Sequence, residues 1–280
     1  MLYIYQDQLD GFFSISSEDE WLAINKDSAL KNYTVLLNFG APIHLSKDFE
    51  NTILENRDIC FLTPGSYISD VQVTDQNHCF VEFNQAFYCL ELHDKELSCD
   101  GLFFGALSQL PVLQTSPEES SNNIHLIDIF RDEMSQKEST QGDMLKLLLK
   151  RLIIKCVRLG KRQLFIDQTP TVEETNIVRK FQALLEKHFR EKHKVADYAD
   201  LMFKSPKTLS NTFKKLRNQS PLHMIQERII LEAKRQLYYT EKPIKEITYE
   251  LGFSEPAQFS RLFKNTTGLS PSDFQKQVVA

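Results

Sequence analysis

The last third of the chain carries one pattern twice, and this near-repeat restricts the fold more than any other feature. The first copy runs Val195-Ala196-Asp197-Tyr198-Ala199-Asp200-Leu201-Met202-Phe203-Lys204-Ser205-Pro206 and on to Lys215. The second runs Ile244-Lys245-Glu246-Ile247-Thr248-Tyr249-Glu250-Leu251-Gly252-Phe253-Ser254 and on to Lys264. Each begins as a short helix with a small residue, Ala199 or Thr248, where a second helix can come close. A tight turn follows, and each copy resumes at a serine with N-cap character, Ser205 or Ser254. Pro206 suits a first helical position, and Gly252 suits a turn residue with positive φ. Short helices joined this way predict a helix-turn-helix, here in two copies.

In the second helix of each copy, Leu209, Phe213 and Leu216, and likewise Phe259 and Phe263, recur at helical spacing and should face a core. The opposite face carries Lys207, Ser210, Asn211 and Lys214 in copy one, and Ala257, Gln258, Arg261 and Lys264 in copy two. Arginine reads guanine, asparagine or glutamine reads adenine, and a small apolar group fits a thymine methyl, so these side chains suit base edges in a major groove. Lys214, Lys215 and Lys264 suit phosphates. Ser205, Thr208 and Ser254, where the helices start, complete the phosphate-contacting candidates. Ser220-Pro221 opens a third helix to Tyr239, with Ile225, Ile229, Ala233 and Leu237 on one side. At 1.5 Å per residue it spans about 28 Å, near the roughly 34 Å between successive major-groove faces of B-DNA. Ser270-Pro271, after Gly268, repeats the same start signal.

Charge is divided the same way. The formal net charge of −5 is the sum of −11 over Met1–Pro170 and +6 over Thr171–Ala280. An acidic first part joined to a basic last part suits a sensor attached to a polyanion-binding domain, because phosphate affinity comes mainly from Lys and Arg displacing counterions.

The first part is of a different kind. Thr34–Phe39, Asp58–Leu62, His78–Phe83 and Ala86–Leu92 are short runs rich in β-branched and aromatic residues. Turn signals at Gly40-Ala41-Pro42, Thr63-Pro64-Gly65 and Asn84-Gln85 separate them, predicting a sandwich or barrel. Phe39, Phe61, Phe80, Phe83, Phe87 and Tyr88 are read as its core, with a ligand pocket as the alternative. After Ser116-Pro117 the period changes. Ile124, Ile127, Phe130 and Met134 mark one amphipathic helix, and Leu145, Leu148, Leu149, Leu152, Ile153, Cys156 and Leu159 a second. A leucine-rich helix after a small β domain must cover that domain or a second subunit, and these seven residues are the dimerisation candidates. Gln163–Pro170 reads as a linker, and Thr171 with Glu174 has capping-box spacing.

These motifs, above all Ile244 to Ser254, Phe259 to Lys264 and Gly268-Leu269-Ser270-Pro271, resemble the AraC/XylS family of bacterial transcription regulators over about Val172 to Gln277. The resemblance implies a DNA-binding domain of seven helices. Its second helices, about Pro206–Arg217 and Pro256–Asn265, would enter the major groove, with base contacts at Lys207, Ser210, Asn211, Ala257, Gln258 and Arg261. Three positions depart from the family pattern: Thr248 for the usual alanine, Gln275 for a common arginine, and Gln219 where glycine is frequent. The β-rich part looks like the family's cupin-type, jelly-roll sensor domain. The expected fold is thus α+β in two domains. A cupin-like effector-binding and dimerisation domain occupies 1–162, with its β part to about 110 and helices over about 121–160. A linker follows over 163–171 and the DNA-binding domain over 172–280. Double-stranded DNA, a small-molecule effector, RNA polymerase and a second copy of the chain are the implied partners.

Other classes find little support. His44, His78 and His93 are scattered, without a His-x-His pair or a glutamate at ligand spacing, so no metal or cofactor site is expected. No G-x-S-x-G, Walker or Rossmann signature occurs, and the chain is not expected to be an enzyme. Cys60, Cys79, Cys89, Cys99 and Cys156 form an odd set without a CxxC pair, which suggests buried reduced thiols; redox sensing at Cys79, Cys89 or Cys99 is the alternative. The most apolar stretch, Met144 to Leu159, is broken by Lys146, Lys150, Arg151, Lys155 and Arg158, and the first residues lack a signal-peptide pattern. A cytoplasmic protein, found at the nucleoid when bound to DNA, is the expectation.

Overall fold

A computed structural model describes residues 2–25, 28–88, 111–164, 172–217 and 220–279. The chain divides into two compact units, one of Met1–Gly105 with Gln109–Thr169 and one of Pro170–Ala280 with Ala106–Ser108. The first is β followed by α: β1 (Tyr3–Gln6), β2 (Phe12–Ser16), α1 (Glu18–Asn25), β3 (Tyr33–Asn38), β4 (Ile43–Lys47), β5 (Glu50–Leu54), β6 (Asp58–Leu62), β7 (Ile68–Gln72), β8 (His78–Phe83), β9 (Val112–Gln114), α2 (Pro117–Ser135) and α3 (Gln141–Leu164). The second is helical: α4 (Val172–His188), α5 (Val195–Leu201), α6 (Pro206–Arg217), α7 (Pro221–Tyr239), α8 (Ile244–Glu250), α9 (Pro256–Thr267) and α10 (Pro271–Val279).

The strands form a six-stranded sheet in the order β1-β2-β8-β3-β6-β9 and a three-stranded sheet in the order β5-β4-β7, with every pairing antiparallel. Side chains alternate across a strand, and here both faces of the larger sheet are covered. Leu36, Cys60, Leu62 and Phe80 point into a core shared with Ile43, Leu45, Leu54, Ile68 and Val71 of the smaller sheet. Their neighbours Val35, Leu37, Ile59, Phe61, Cys79, Val81 and Phe83 point the other way, into a core completed by α2 and α3. Double coverage explains why these strands read as continuous apolar runs rather than alternating ones.

That second core settles where the leucine-rich helix packs. Leu145, Leu148, Leu149, Leu152, Ile153, Cys156 and Leu159 are all 8% exposed or less, buried within the single chain against the sheet and α2. They are therefore not available as a dimer surface; among the described residues, the large apolar side chains that α3 leaves exposed are Met144 and Leu147. On α2 the buried face is Asn123, Leu126, Ile127 and Phe130, whereas Ile124 is 42% exposed, so the actual stripe is shifted from the expected one. The helix also starts four residues earlier than about 121, because Ser116 and Glu119 form a reciprocal capping box ahead of Pro117.

Two further expectations change. No strand follows Asn84 over 86–88: Asn84 Oδ1 accepts from Phe87 N (2.8 Å) and Phe12 N (2.9 Å), turning the chain after β8. The remainder of that expected strand, from Cys89, lies outside the described residues, as do His93, Cys99, Thr171 and Gln219. The short helix α1 was not expected, although Ser17 and Glu20 have capping spacing and Ser17 Oγ donates to Glu20 Oε2 (2.9 Å). It brings Trp21 onto Phe80, ring centroids 4.6 Å apart, and fills the space between the sheets. Phe61, Phe83, Phe87 and Tyr88 belong to the helix-covered core and Phe39 packs at its margin. Cys60, Cys79 and Cys156 are buried free thiols, each pushed up to about 12 by burial. Gln163 and Leu164, expected in the linker, continue α3. Among the described residues no helix is long and apolar enough to cross a membrane, and no group of three or more His, Cys, Asp or Glu is placed to hold a metal.

Candidate nucleic-acid interface

The second unit is built around two aromatic clusters, one under each repeat. In the first, Phe181 of α4 packs edge-on against Phe213 of α6 (4.8 Å) and against Tyr198 of α5 (5.1 Å), beside buried Leu209 and Met202. In the second, Phe253, Phe259, Phe263 and Phe274 form a chain of ring contacts at 5.5–5.8 Å above buried Ile247 and Leu251. Ala199 and Thr248 are fully buried where the two helices of each unit meet. Thr248 satisfies its hydroxyl by donating to Ile244 O one turn back (2.8 Å), so the departure from alanine adds volume without an orphaned polar group.

The connector α7 packs against helices of both helix-turn-helix copies. Met224, Ile225, Ile229, Ile230, Ala233 and Leu237 are its buried face, and Ser220 caps it by accepting from His223 N (3.1 Å). It is also clamped to the end of α4. Arg228, 7% exposed, donates through Nε to both oxygens of Glu186 at 3.0 Å and through Nη1 to Glu232 (3.3 Å). Arg190 reaches the other oxygen of Glu232 (2.6 Å), and the two guanidinium groups lie over the Phe189 ring at 3.9 and 4.5 Å. Burial would raise the Glu232 carboxyl, but Arg228 and Arg190 outweigh it and hold it below its ordinary value. The connector is thus fixed at its middle by charge as well as by its apolar face.

The turns of the two units match in backbone. Lys204 N bonds Ala199 O (3.0 Å), and Phe253 N bonds Thr248 O (3.1 Å); the residue before each, Phe203 or Gly252, is left-handed, with φ 53° or 78°. After that point they diverge by one residue. In the first unit Ser205 caps α6, its Oγ accepting from Thr208 N (3.0 Å). In the second unit the N-cap is Glu255, without a side-chain cap bond, and Pro256 takes the position of Pro206. Ser254 is therefore not the N-cap it resembles: it lies in a turn one residue longer, before the capping position.

The expected groove-facing side chains end up together. Lys207, Ser210, Asn211 and Lys214 are exposed on α6, and Ala257, Gln258, Arg261 and Lys264 are exposed on the equivalent face of α9. None of the polar ones makes a side-chain hydrogen bond or ion pair among the described residues. The phosphate candidates are less uniform. Ser205 and Thr208 are hydrogen-bonded to each other (2.9 Å), and Lys215 is paired with Glu174 at the start of α4 (2.7 Å). Neighbouring Lys204 is paired with Glu173 (3.0 Å). These acidic partners were not anticipated, and only the sequence Val172-Glu173-Glu174 hints at them. Phe203, at the left-handed position of the first turn, is 92% exposed.

A helical unit presenting two helix-turn-helix faces from one rigid connector is a double helix-turn-helix DNA-binding domain. Residues 198–277 match the family described as helix-turn-helix domain. The chain is 25% identical over 260 residues to the arabinose operon regulatory protein of Salmonella typhimurium, covering 90% of this chain and 86% of that one. It is 29% identical over 110 residues to the bifunctional transcriptional activator/DNA repair enzyme AdaA of Bacillus subtilis, covering 39% of this chain and about half (51%) of that protein. Among solved structures, ToxT of Vibrio cholerae aligns over 100% of this chain and 98% of its own, at 14% identity and a TM-score of 0.43. The sequence likenesses thus show a helix-turn-helix domain over residues 198–277, in a chain similar along most of its length to a transcription regulator.

Proposed function

We propose that the chain regulates transcription by placing α6 and α9 in two adjacent major-groove faces of one DNA duplex, under the control of a small molecule bound by its β-rich unit. The observation that carries this reading is the pair of equivalent helix faces, exposed and free of internal partners, presented from one clamped connector. Lys207, Ser210 and Asn211 on α6 and Ala257, Gln258 and Arg261 on α9 make the base contacts. Lys214, Lys215 and Lys264 hold phosphates, with Ser205, Thr208 and Ser254 beside the backbone. The protein works in the cytoplasm, at the nucleoid when bound, without catalysing a reaction, and RNA polymerase is its partner at a promoter. A second copy of the chain joins it, through a surface other than the buried face of α3.

The test is selection of bound duplexes from genomic DNA at a stated salt concentration, followed by affinities for the selected site. Arg261→Ala is expected to weaken binding by about 1–3 kcal/mol and to relax preference at one base position. Asn211→Ala should relax a position one groove away. Binding that is diffuse and indifferent to both substitutions would overturn the two-groove reading.

A further inference from the structure

The β-rich unit has a cleft of about 190 Å³ away from the space between its sheets, which is filled by the core around Trp21 and Phe80. It lies where the edge of the larger sheet meets the start of α2 and the second half of α3. Ile59 forms its apolar floor, and Asn123, Glu119, Lys155, Arg158 and Arg162 surround it. The three cations stand at positions i, i+3 and i+7 of α3, so they share one face of the helix. Glu119 is already committed: it closes the capping box with Ser116 and pairs with Arg162. That leaves Lys155 and Arg158, neither of which has a carboxylate partner among the described residues, so the cleft carries two uncompensated positive charges. Asn123 is only 4% exposed, yet its amide has no hydrogen-bond partner among the described residues. Its amide is not enclosed: the little of Asn123 that is exposed opens onto the cleft, where donor and acceptor are both available to a ligand.

We propose that this cleft between α2, α3 and the sheet edge binds a small organic dianion, a phosphate monoester with a compact apolar body, as the effector of the regulator. The assignment rests on the reading of the chain as an effector-controlled regulator. Lys155 and Arg158 hold the phosphate, the guanidinium by paired N–H donors and the ammonium as a point charge. Asn123 hydrogen-bonds the ester or body oxygen, and the body lies on Ile59. The volume is below the roughly 300–1,000 Å³ of drug-sized sites, and a cavity of about 150 Å³ already accommodates benzene, so the body is no larger than about one ring.

The probe is phenyl phosphate, titrated calorimetrically into the full-length protein, with phenol and inorganic phosphate as controls for body and head. Saturable one-to-one binding is expected for phenyl phosphate, weakened at least tenfold in the Lys155→Gln/Arg158→Gln variant and absent for phenol. Arg158→Glu, a single reversal at an exposed side chain, should produce a loss of the same size and serves if the double variant does not fold. Affinity unchanged in these variants, no saturable binding, or inorganic phosphate binding as tightly as phenyl phosphate would each overturn the site. Duplex binding separates this failure from that of the regulator reading. A protein that ignores phenyl phosphate but loses its specific duplex complex on Arg261→Ala refutes only the cleft. One that binds phenyl phosphate but selects no duplex refutes the effector role.

Discussion

At the left-handed position of its turn the first helix-turn-helix unit has Phe203, and the second has Gly252. The same backbone geometry is thus reached with a side chain that strains it in one copy and with the residue that does not in the other. Their surroundings account for the difference. Phe203 projects into solvent, whereas a Cβ on Gly252 would lie 1.9 Å from Arg190 O and 3.3 Å from the His193 ring. The second turn is pressed against the loop that leads from α4 to α5, and the first is not. Crowding, more than the helix-turn-helix geometry, determines where glycine is required.

The largest expected effect breaks this contrast directly. Gly252→Ala combines a left-handed backbone with a clash against a carbonyl that cannot rotate away, and should cost about 3 kcal/mol of stability in urea unfolding. Phe203→Gly should act in the opposite sense, a gain of up to about 1 kcal/mol, because only strain is removed. If both substitutions destabilise alike, Phe203 has a packing role that its exposure conceals.

Capping comes next. Ser205→Ala removes the bond to Thr208 N and should cost about 1 kcal/mol, while Ser254→Ala should leave the unfolding midpoint unchanged despite the matching sequence. Glu255→Ser should gain a few tenths to 1 kcal/mol by giving α9 the cap it lacks. Equal losses at Ser205 and Ser254 would show that the extra residue in the second turn has been placed wrongly.

Of the two turns, only the second has a half-buried histidine beside it and should contribute a pH effect of its own. His193 packs at a tilt against Phe253, ring centroids 4.5 Å apart, and burial lowers its basicity, against the opposing influence of backbone carbonyls and Asp197. The folded protein therefore resists a proton that the unfolded chain accepts. The stability this histidine contributes is complete above about pH 6.5, the ordinary histidine value, and declines as pH falls through and below it. Unfolding midpoints of the wild type and His193→Phe, compared at pH 7.5 and 5.5, should diverge, with the wild type losing more on acidification. Parallel losses would remove His193 as the cause.

Much of this architecture is written locally. The two repeats, their core aromatics, the Ser220-Pro221 start of α7 and the exposed polar faces follow from period and capping chemistry, which neighbouring residues set on their own. What could not be read depends on contacts distant in sequence. Ser254 resembles a cap because it follows Phe253 as Ser205 follows Lys204; only the position of Phe259 in the core reveals the inserted residue. Ile124 and Leu126 are equally apolar, and the sheet they approach decides which is buried. The leucine stripe of α3 would suit a partner chain equally well. It is the double-sided apolar content of β3, β6 and β8 that demands a helical cover within the same molecule. The clamp of Arg190, Arg228, Glu186 and Glu232 joins residues about 40 apart and has no local signature.

The smallest expected effect concerns the lysines. Lys264 in the second unit has no carboxylate partner among the described residues, whereas Lys215 in the first is held by Glu174. An ion pair between partly exposed groups is worth at most about 1 kcal/mol, and a phosphate arriving at Lys215 must displace it. Glu174→Gln should therefore raise affinity for the selected duplex by a few tenths of a kcal/mol, with the gain shrinking at higher salt. Lys264→Gln should weaken binding nearly equally for all sequences and lower the slope of log affinity against log salt by about 1, since no competing pair is lost with it. Lys215→Gln should produce a smaller loss than Lys264→Gln in the wild type and an equal one in the Glu174→Gln background. If the two lysines behave alike in both backgrounds, the pair at the start of α4 does not persist in solution, and the two units present equivalent charge to the duplex.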